Sequence, residues 1–174
     1  MSQLTVDARA TVVITETTSW EAFPALWPRL LEEVWSAVRP RRREIAPGRN
    51  IMLYNDEVPN VEVGVEITGS FAPIGRIVAS TLPAGRVLTT THRGSWDVGP
   101  AHRAVIEECE RLGLERAGPR WEIYGHFNAP GDEEVEIYYL VRTKGRLERL
   151  DQTTRRDHHF GADMAAAVIL MSSI

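Results

Sequence analysis

Apolar residues recur along this chain with two different periods, and the two alternate in an ordered way. Residues 10–16, ATVVITE, are β-branched and bounded by the turn-forming TTS, which predicts a strand. In the following SWEAFPALWPRLLEEVWSAVRP, residues Phe23, Leu26, Trp27, Leu30, Leu31, Val34 and Val38 fall at helical spacing. Ser19 is placed to cap that helix and Arg39-Pro40 to end it, while Pro24 and Pro28 blur its first turns. Strands are then expected at 50–54 (NIMLY), 61–67 (VEVGVEI), 75–81 (GRIVAST) and 86–92 (RVLTTTH), with a turn at 82–85. A second helix is expected from about 96 to 112, stopped by Gly113. The last strands are 121–127 (WEIYGHF) and 134–141 (EVEIYYLV). Residues 143–174 are polar with weak periodicity and read as a C-terminal extension, mobile or holding a short helix at 161–173.

The order strand, helix, strand, strand occurs twice. SWEAFPA begins at Ser19 and SWDVGPA at Ser95, so that Ser19/Ser95, Trp20/Trp96, Pro24/Pro100 and Ala25/Ala101 are identical and Glu21/Asp97 keeps its charge. NIMLY then matches RWEIY, setting Tyr54 against Tyr124, and VEVGVEI matches VEIYYLV, setting Glu62 against Glu136. Three matches in one order imply an internal duplication with halves of about 10–70 and 84–142. The expected fold is α+β: duplicated β-α-β-β modules about a pseudo-twofold axis, with a curved antiparallel sheet, two main helices and a central ligand groove. A groove between similar halves is a common ligand site.

Strand side chains alternate faces. Val135, Ile137 and Tyr139 oppose Glu134, Glu136 and Tyr138, and Val61, Val63 and Val65 oppose Glu62, Gly64 and Glu66. The Val/Ile faces should pack under the helices. Glu122 shares a face with Tyr124, and Met52 with Tyr54. One surface is therefore expected to gather Tyr54, Tyr124, Tyr138 and Glu136, with Glu62, Glu66 and Glu122 nearby. Aromatic walls with a few carboxylates suit a flat or cationic ligand. A solvated sheet face would carry the same residues, and the pattern alone leaves both readings open.

Composition narrows the classes. The net charge of −4 argues against broad nucleic-acid binding, and the one dense basic run, 39–43 (RPRRR), suits a helix end. The single cysteine, Cys109, excludes a disulfide framework and a structural zinc site, and it reads as a helix-packing residue. No signal peptide or membrane span is evident, so a cytoplasmic protein is expected. No phosphate loop, dinucleotide fingerprint or nucleophile elbow is present, and no cofactor is expected. Asp157, His158 and His159 lie in a polar stretch without a further ligand at defined spacing and read as solvated. His92 and His126 border the expected groove or a surface turn. Trp27 and Trp35 read as core and module interface. The apolar run 165–171 (AAAVILM) would pack on the sheet or on a second copy.

PAGRVLTTTHRGSWD (83–97), AGPRWEIYGHF (117–127) and EVEIYYL (134–140), supported by NIMLYND and VEVGVEI, resemble the GyrI-like small-molecule-binding family, also known as the AraC effector-binding domain. The resemblance covers about residues 10–142. It implies two strand-helix-strand-strand modules and binding of aromatic or cationic molecules between them. It also implies that Glu136 is a central groove carboxylate, with Tyr124 and Tyr138 as neighbours and Trp96 at the border. Trp20 and Glu62 follow by the repeat. No helix-turn-helix is legible, and a standalone member is expected.

Two functions from different classes fit. One is a module that senses or sequesters lipophilic, aromatic compounds, cationic ones included. The other, implied by the resemblance, is a hydrolase opening cyclopropane rings of DNA-alkylating antibiotics, with Glu136 as base and Glu122 or Tyr124 assisting. A protein-interaction module is a further alternative. Oligomeric state is not legible.

Overall fold

The β-branched runs become strands, and eight strands join one antiparallel sheet. They are β1 (Ser2–Val6), β2 (Arg9–Thr17), β3 (Pro47–Tyr54), β4 (Asn60–Ile67), β5 (Ile77–Leu82), β6 (Gly85–Arg93), β7 (Leu114–Tyr124) and β8 (Glu134–Thr143). The helices are α1 (Phe23–Val38), the single turn α2 (Arg42–Ile45) and α3 (Gly99–Arg111). This computed structural model describes residues 1–57, 59–125, 129 and 131–144, and Met1–Lys144 form one unit. The expectations for His126, His158, His159, the helix at 161–173 and the 165–171 run lie outside the described residues.

Several boundaries differ from the sequence reading. β1 was not expected, because SQLTV is short and mostly exposed; it pairs only with β6, as an edge strand. β7 begins at Leu114 rather than Trp121, and its pairing with β8 shifts register between Arg116 and Arg120. Gly118 lies in that interval with φ +135°, a conformation that favours glycine. α1 begins at Phe23, and Ser19 acts upstream: its hydroxyl accepts the Ala22 N–H (3.1 Å), closing the turn before the helix. α3 begins at Gly99, with Pro100 in its first turn, where no donor is lost. The basic run forms a short 3-10 turn and the start of α2, where Arg39 pairs with Glu32 (2.7 Å) and Arg41 lies over the Phe71 ring (5.6 Å).

The sheet order β1-β6-β8-β7-β3-β4-β2-β5 carries the duplication. Read outward from the middle, it runs β3-β4-β2 on one side and β7-β8-β6 on the other. At the centre Met52 pairs with Glu122, flanked by Asn50 opposite Tyr124 and Tyr54 opposite Arg120. The repeat sets Tyr54 on Tyr124, and so Met52 on Glu122 and Asn50 on Arg120. The pseudo-twofold axis therefore passes through the Met52–Glu122 pair.

α1 packs on β4 and β2, and α3 on β6, β7 and β8, all on one face of the sheet. Under α1 lie Leu30, Val34, Val38, Val12, Ile14, Val61, Val63 and Val65. Under α3 lie Val105, Cys109, Leu88, Val135, Ile137 and Tyr139. The opposite face carries no helix, yet Val13, Ile51, Leu53, Leu82, Val87, Trp121 and Ile123 are buried there. Chain reach explains this. β5 and β6 are six places apart in the sheet, about 29 Å if it were flat. Only residues 83 and 84 separate them, and that link spans at most about 11 Å. The sheet must curl toward its helix-free side until its flanks approach. Gly64 marks how tight this packing is: a Cβ there would stand 1.9 Å from the Val12 carbonyl oxygen.

Candidate functional site

Neither helix covers the middle of the sheet. The helix-side residues of β3 and β7 therefore form the floor of a groove, and the central one is Glu122. Its side chain is almost wholly buried, at 2% exposure for the residue. Tyr124 donates its hydroxyl to Glu122 Oε2 (2.5 Å), and Tyr54 donates to the same oxygen (3.1 Å). Both hydroxyls also lie beside Met52 Sδ, at 3.7 Å for Tyr54 and 3.4 Å for Tyr124. Glu122 Oε1 faces His102 Nε2 (2.7 Å), and His102 Nδ1 meets the Tyr139 hydroxyl (2.8 Å). A hydrogen on Nε2 satisfies both contacts, with imidazole donating to Glu122 and accepting from Tyr139. Burial, and then the Glu122 charge, pushes the Tyr124 and Tyr54 hydroxyls well above the usual phenol range, so both remain donors.

On either side of this centre lies a half-site, and the two correspond part for part. Matching the buried Leu30 and Val34 of α1 to Val105 and Cys109 of α3 sets Trp27 against His102 and Leu31 against Ile106. On the α1 side, Trp27, Leu31, Trp35, Met52, Trp96 and Tyr124 line a cavity of about 630 Å³. Asn50 also lines it and accepts a hydrogen bond from Trp35 Nε1 (2.9 Å). On the α3 side, His102, Ile106, Glu122, Trp20, Tyr54 and Arg120 line a smaller space of about 300 Å³. The rim aromatics repeat closely: Trp20–Tyr54 centroids are 5.6 Å apart and Trp96–Tyr124 centroids 5.9 Å, each pair tilted by 35°. The floors differ. Arg120 places its guanidinium 5.3 Å from the Trp20 ring centre and 4.9 Å from that of Tyr54, while its counterpart Asn50 is neutral.

The expected single surface does not form. Cross-strand pairing places Ile123 opposite Glu136 and Trp121 opposite Tyr138, so Glu136 and Tyr138 share the helix-free face with Trp121 and Ile123. Glu62 and Glu66 are on that face too. Tyr54, Tyr124, Glu122, Trp20 and Trp96 belong to the helix-side groove. Alternation within each strand was read correctly; the phase between strands was not. The reading put the Val/Ile faces of β4 and β8 under the helices, as they are, but grouped their opposite faces with the Met52/Tyr54 face of β3 and the Glu122/Tyr124 face of β7, which lies on the helix side.

Glu136 has internal partners. Arg49 Nη1 donates to it (2.8 Å), and Tyr138 donates its hydroxyl to Oε2 (2.6 Å). Arg49 also meets Glu66 (3.3 Å), which pairs with Arg9 (2.9 Å), and Glu62 accepts from Ser80 (2.7 Å). Burial raises the Glu136 carboxyl, but the hydrogen bonds from Arg49 and Tyr138 outweigh it and hold it below the usual carboxylate range. Glu136 therefore cannot act on the same ligand atom as Glu122 or Tyr124, across the sheet. Elsewhere, His92 Nε2 meets Ser95 Oγ (3.0 Å) ahead of α3. Cys109 is buried, and desolvation raises its thiol, which suits packing rather than nucleophilic attack. Among the described residues no cluster of His, Cys, Asp or Glu could hold a metal ion, and no helix is long and apolar enough to cross a membrane.

No family model matches the sequence, and no protein of curated function matches it. Solved structures do match. The C-terminal domain of EcmrR aligns over 82% of this chain and 97% of its own length, with TM-score 0.65 and 17% identity. SAV2435 bound to tetraphenylphosphonium aligns over 81% and 93%, with TM-score 0.61 and 14% identity. A hydrolase from Listeria innocua aligns over 81% and 91%, with TM-score 0.56 and 8% identity. The chain has the GyrI-like fold. Against the longer EcmrR chain in its DNA complex, it spans 57% of that chain.

Within the GyrI-like fold, the sequence reading named Tyr54, Tyr124, Glu122, Trp20 and Trp96 but missed His102, Met52, Asn50 and Arg120 as groove residues. Trp27 and Trp35, assigned to the core and module interface, pack against the α1-side core and also line the α1-side cavity. The repeat held a usable signal: aligning Tyr54 with Tyr124 also aligns Met52 with Glu122, marking Glu122 as the carboxylate nearest the axis. His102 had no such signal, since its role depends on which way α3 faces.

Proposed function

We propose that this protein binds small lipophilic aromatic compounds, cationic ones included, in the cavity between α1 and the sheet centre. The observation that carries this reading is the cavity itself: about 630 Å³, walled by Trp27, Trp35, Trp96 and Tyr124 with Leu31 and Met52. That volume suits a drug-sized molecule, and indole and phenol faces attract flat rings and organic cations alike. Glu122 is the cross-strand partner of Met52, and the Tyr124 hydroxyl touches both Met52 Sδ (3.4 Å) and Glu122 Oε2 (2.5 Å), so the Glu122 charge stands near enough to the cavity floor to favour a cation. The tetraphenylphosphonium bound by SAV2435, which has the same fold, supports this ligand class.

Hydrolysis is the weaker reading. Ring opening would need Glu122 to take a proton from water while the water oxygen bonds to ring carbon, a carbon–carbon bond breaks and the conjugated carbonyl gains a proton. Both Glu122 oxygens are already engaged, by Tyr54 and Tyr124 on one and His102 on the other. That arrangement fits a fixed charge better than a base awaiting water.

The test is calorimetric titration with tetraphenylphosphonium and with the neutral triphenylphosphine oxide, followed by chromatography of the recovered compounds. Micromolar binding of the cation is expected, weakened about tenfold in Glu122→Gln, with the neutral analogue affected far less. A cyclopropane-containing antibiotic should come back unchanged. Absence of binding in the wild type, or turnover lost in Glu122→Gln, would overturn the reading.

A further inference from the structure

The two half-sites share their rim, Trp20–Tyr54 on one side and Trp96–Tyr124 on the other, with matching separation and tilt. They differ in what stands on the floor beside it. At the α3 side a guanidinium from the protein itself lies against both rings, within 5.3 Å of one and 4.9 Å of the other. Its partner by symmetry, Asn50, is tied to Trp35 instead. Arg120 thus stands where a ligand cation would stand in an aromatic pair built like the other one.

We propose that Arg120 is a tethered occupant of the second half-site: it takes the cation position on the Trp20–Tyr54 rings and keeps free organic cations off that pair. The site it covers would take a compact planar organic cation, of which guanidinium is the model. Three features support a plug rather than incidental surface stacking. Trp20 is anchored, with its indole N–H donating to the Glu57 carbonyl (3.2 Å). Arg116, the neighbouring cation, is committed to Glu57 (2.9 Å), leaving Arg120 as the one on the rings. The residue on the axis beside it, Glu122, is an acid that attracts a cation from either side. A tethered charge already at the rings has no association entropy to lose, so a free cation competes poorly with it.

This inference takes its probe chemistry from the binding reading above, but its test is independent. The probe is phenylguanidinium, followed through the indole N–H signals of the five tryptophans by NMR, with Trp20 assigned by Trp20→Phe. In the wild type the Trp20 signal should stay put while signals of Trp27, Trp35 and Trp96 shift. In Arg120→Asn, which copies the Asn50 side, the Trp20 signal should shift saturably, at about a tenfold lower concentration or less than any response in the wild type. Arg120→Gln keeps the aliphatic stem, should behave alike, and carries the test if the shorter residue disturbs folding. A Trp20 signal that stays fixed in both variants, or that shifts equally in the wild type, overturns the proposal. If the α1-side signals never move, the binding reading falls, while Trp20 still decides the role of Arg120.

Discussion

The α1-side and α3-side half-sites share one layout and carry different side chains on it. Where the first has Trp27, Met52 and Asn50, the second has His102, Glu122 and Arg120. Each replacement changes an apolar or neutral group into one that titrates or carries charge, and all three fall on the α3 side. The α1 side keeps a cavity of about 630 Å³ with aromatic walls. The α3 side spends its polar groups on one another: His102 holds Glu122, and Arg120 covers the rings. In the proposed function, a duplicated fold thus provides one wall for the ligand and one internal brace for the charge that would serve it. The brace keeps a buried carboxylate hydrogen-bonded, without which it would be costly to hold in a dry site.

The comparison breaks most violently on the helix-free face. Gly64 and Tyr138 correspond by the repeat, but a Cβ at Gly64 would collide with the Val12 backbone, whereas Tyr138 stacks on Trp121 at 5.3 Å. Gly64→Ala should therefore destabilise the protein by about 3 kcal/mol or more, while Tyr138→Phe, losing one hydrogen bond to Glu136, should cost about 1 kcal/mol. Urea melts of both variants measure this; equal costs would mean the strands can separate there at little expense.

The two rim tryptophans give the next largest effect. Both are about half exposed, at 47% for Trp20 and 48% for Trp96, so either can be truncated without emptying a core. Trp96→Ala should weaken tetraphenylphosphonium binding about tenfold, and Trp20→Ala less than about threefold. Equal losses would make the half-sites equivalent and remove the asymmetry.

The smallest effect concerns the pair Glu62/Glu136. Glu136, held below the usual carboxylate range, contributes stability above its unfolded value near 4.3 and loses it as pH falls through the lower folded value. Glu136→Gln should cost about 1 kcal/mol at pH 7 and progressively less below about pH 4. Glu62→Gln, which gives up only a bond from Ser80, should change stability less at pH 7. A pH-independent cost at Glu136 would indicate packing rather than charge.

Much of this fold was legible in the sequence because duplication wrote it twice. Seven strands, two helices and the matched residues Trp20/Trp96 and Tyr54/Tyr124 follow from period and repeat. β1 was not, since five mostly exposed residues give little pattern. The site was half legible. Alternation says which residues of one strand share a face, but not how that face lies relative to the next strand; that depends on helix placement. Glu136 looked central because it sits amid apolar neighbours, but Val135 and Ile137 pack under α3 while Glu136 itself faces the helix-free side, where Arg49 meets it. Glu122, the buried carboxylate on the groove axis, was read as standing near the groove and assisting Glu136, not as its central acid.

A crystal structure with tetraphenylphosphonium bound tests the central claim most directly. The expected result is one ligand on the α1 side, its phenyl rings against Trp27, Trp35 and Trp96 and its phosphonium toward Tyr124, with Arg120 still over Trp20 and Tyr54. A ligand lodged between Trp20 and His102, or seated beside Glu136 on the helix-free face, would contradict it.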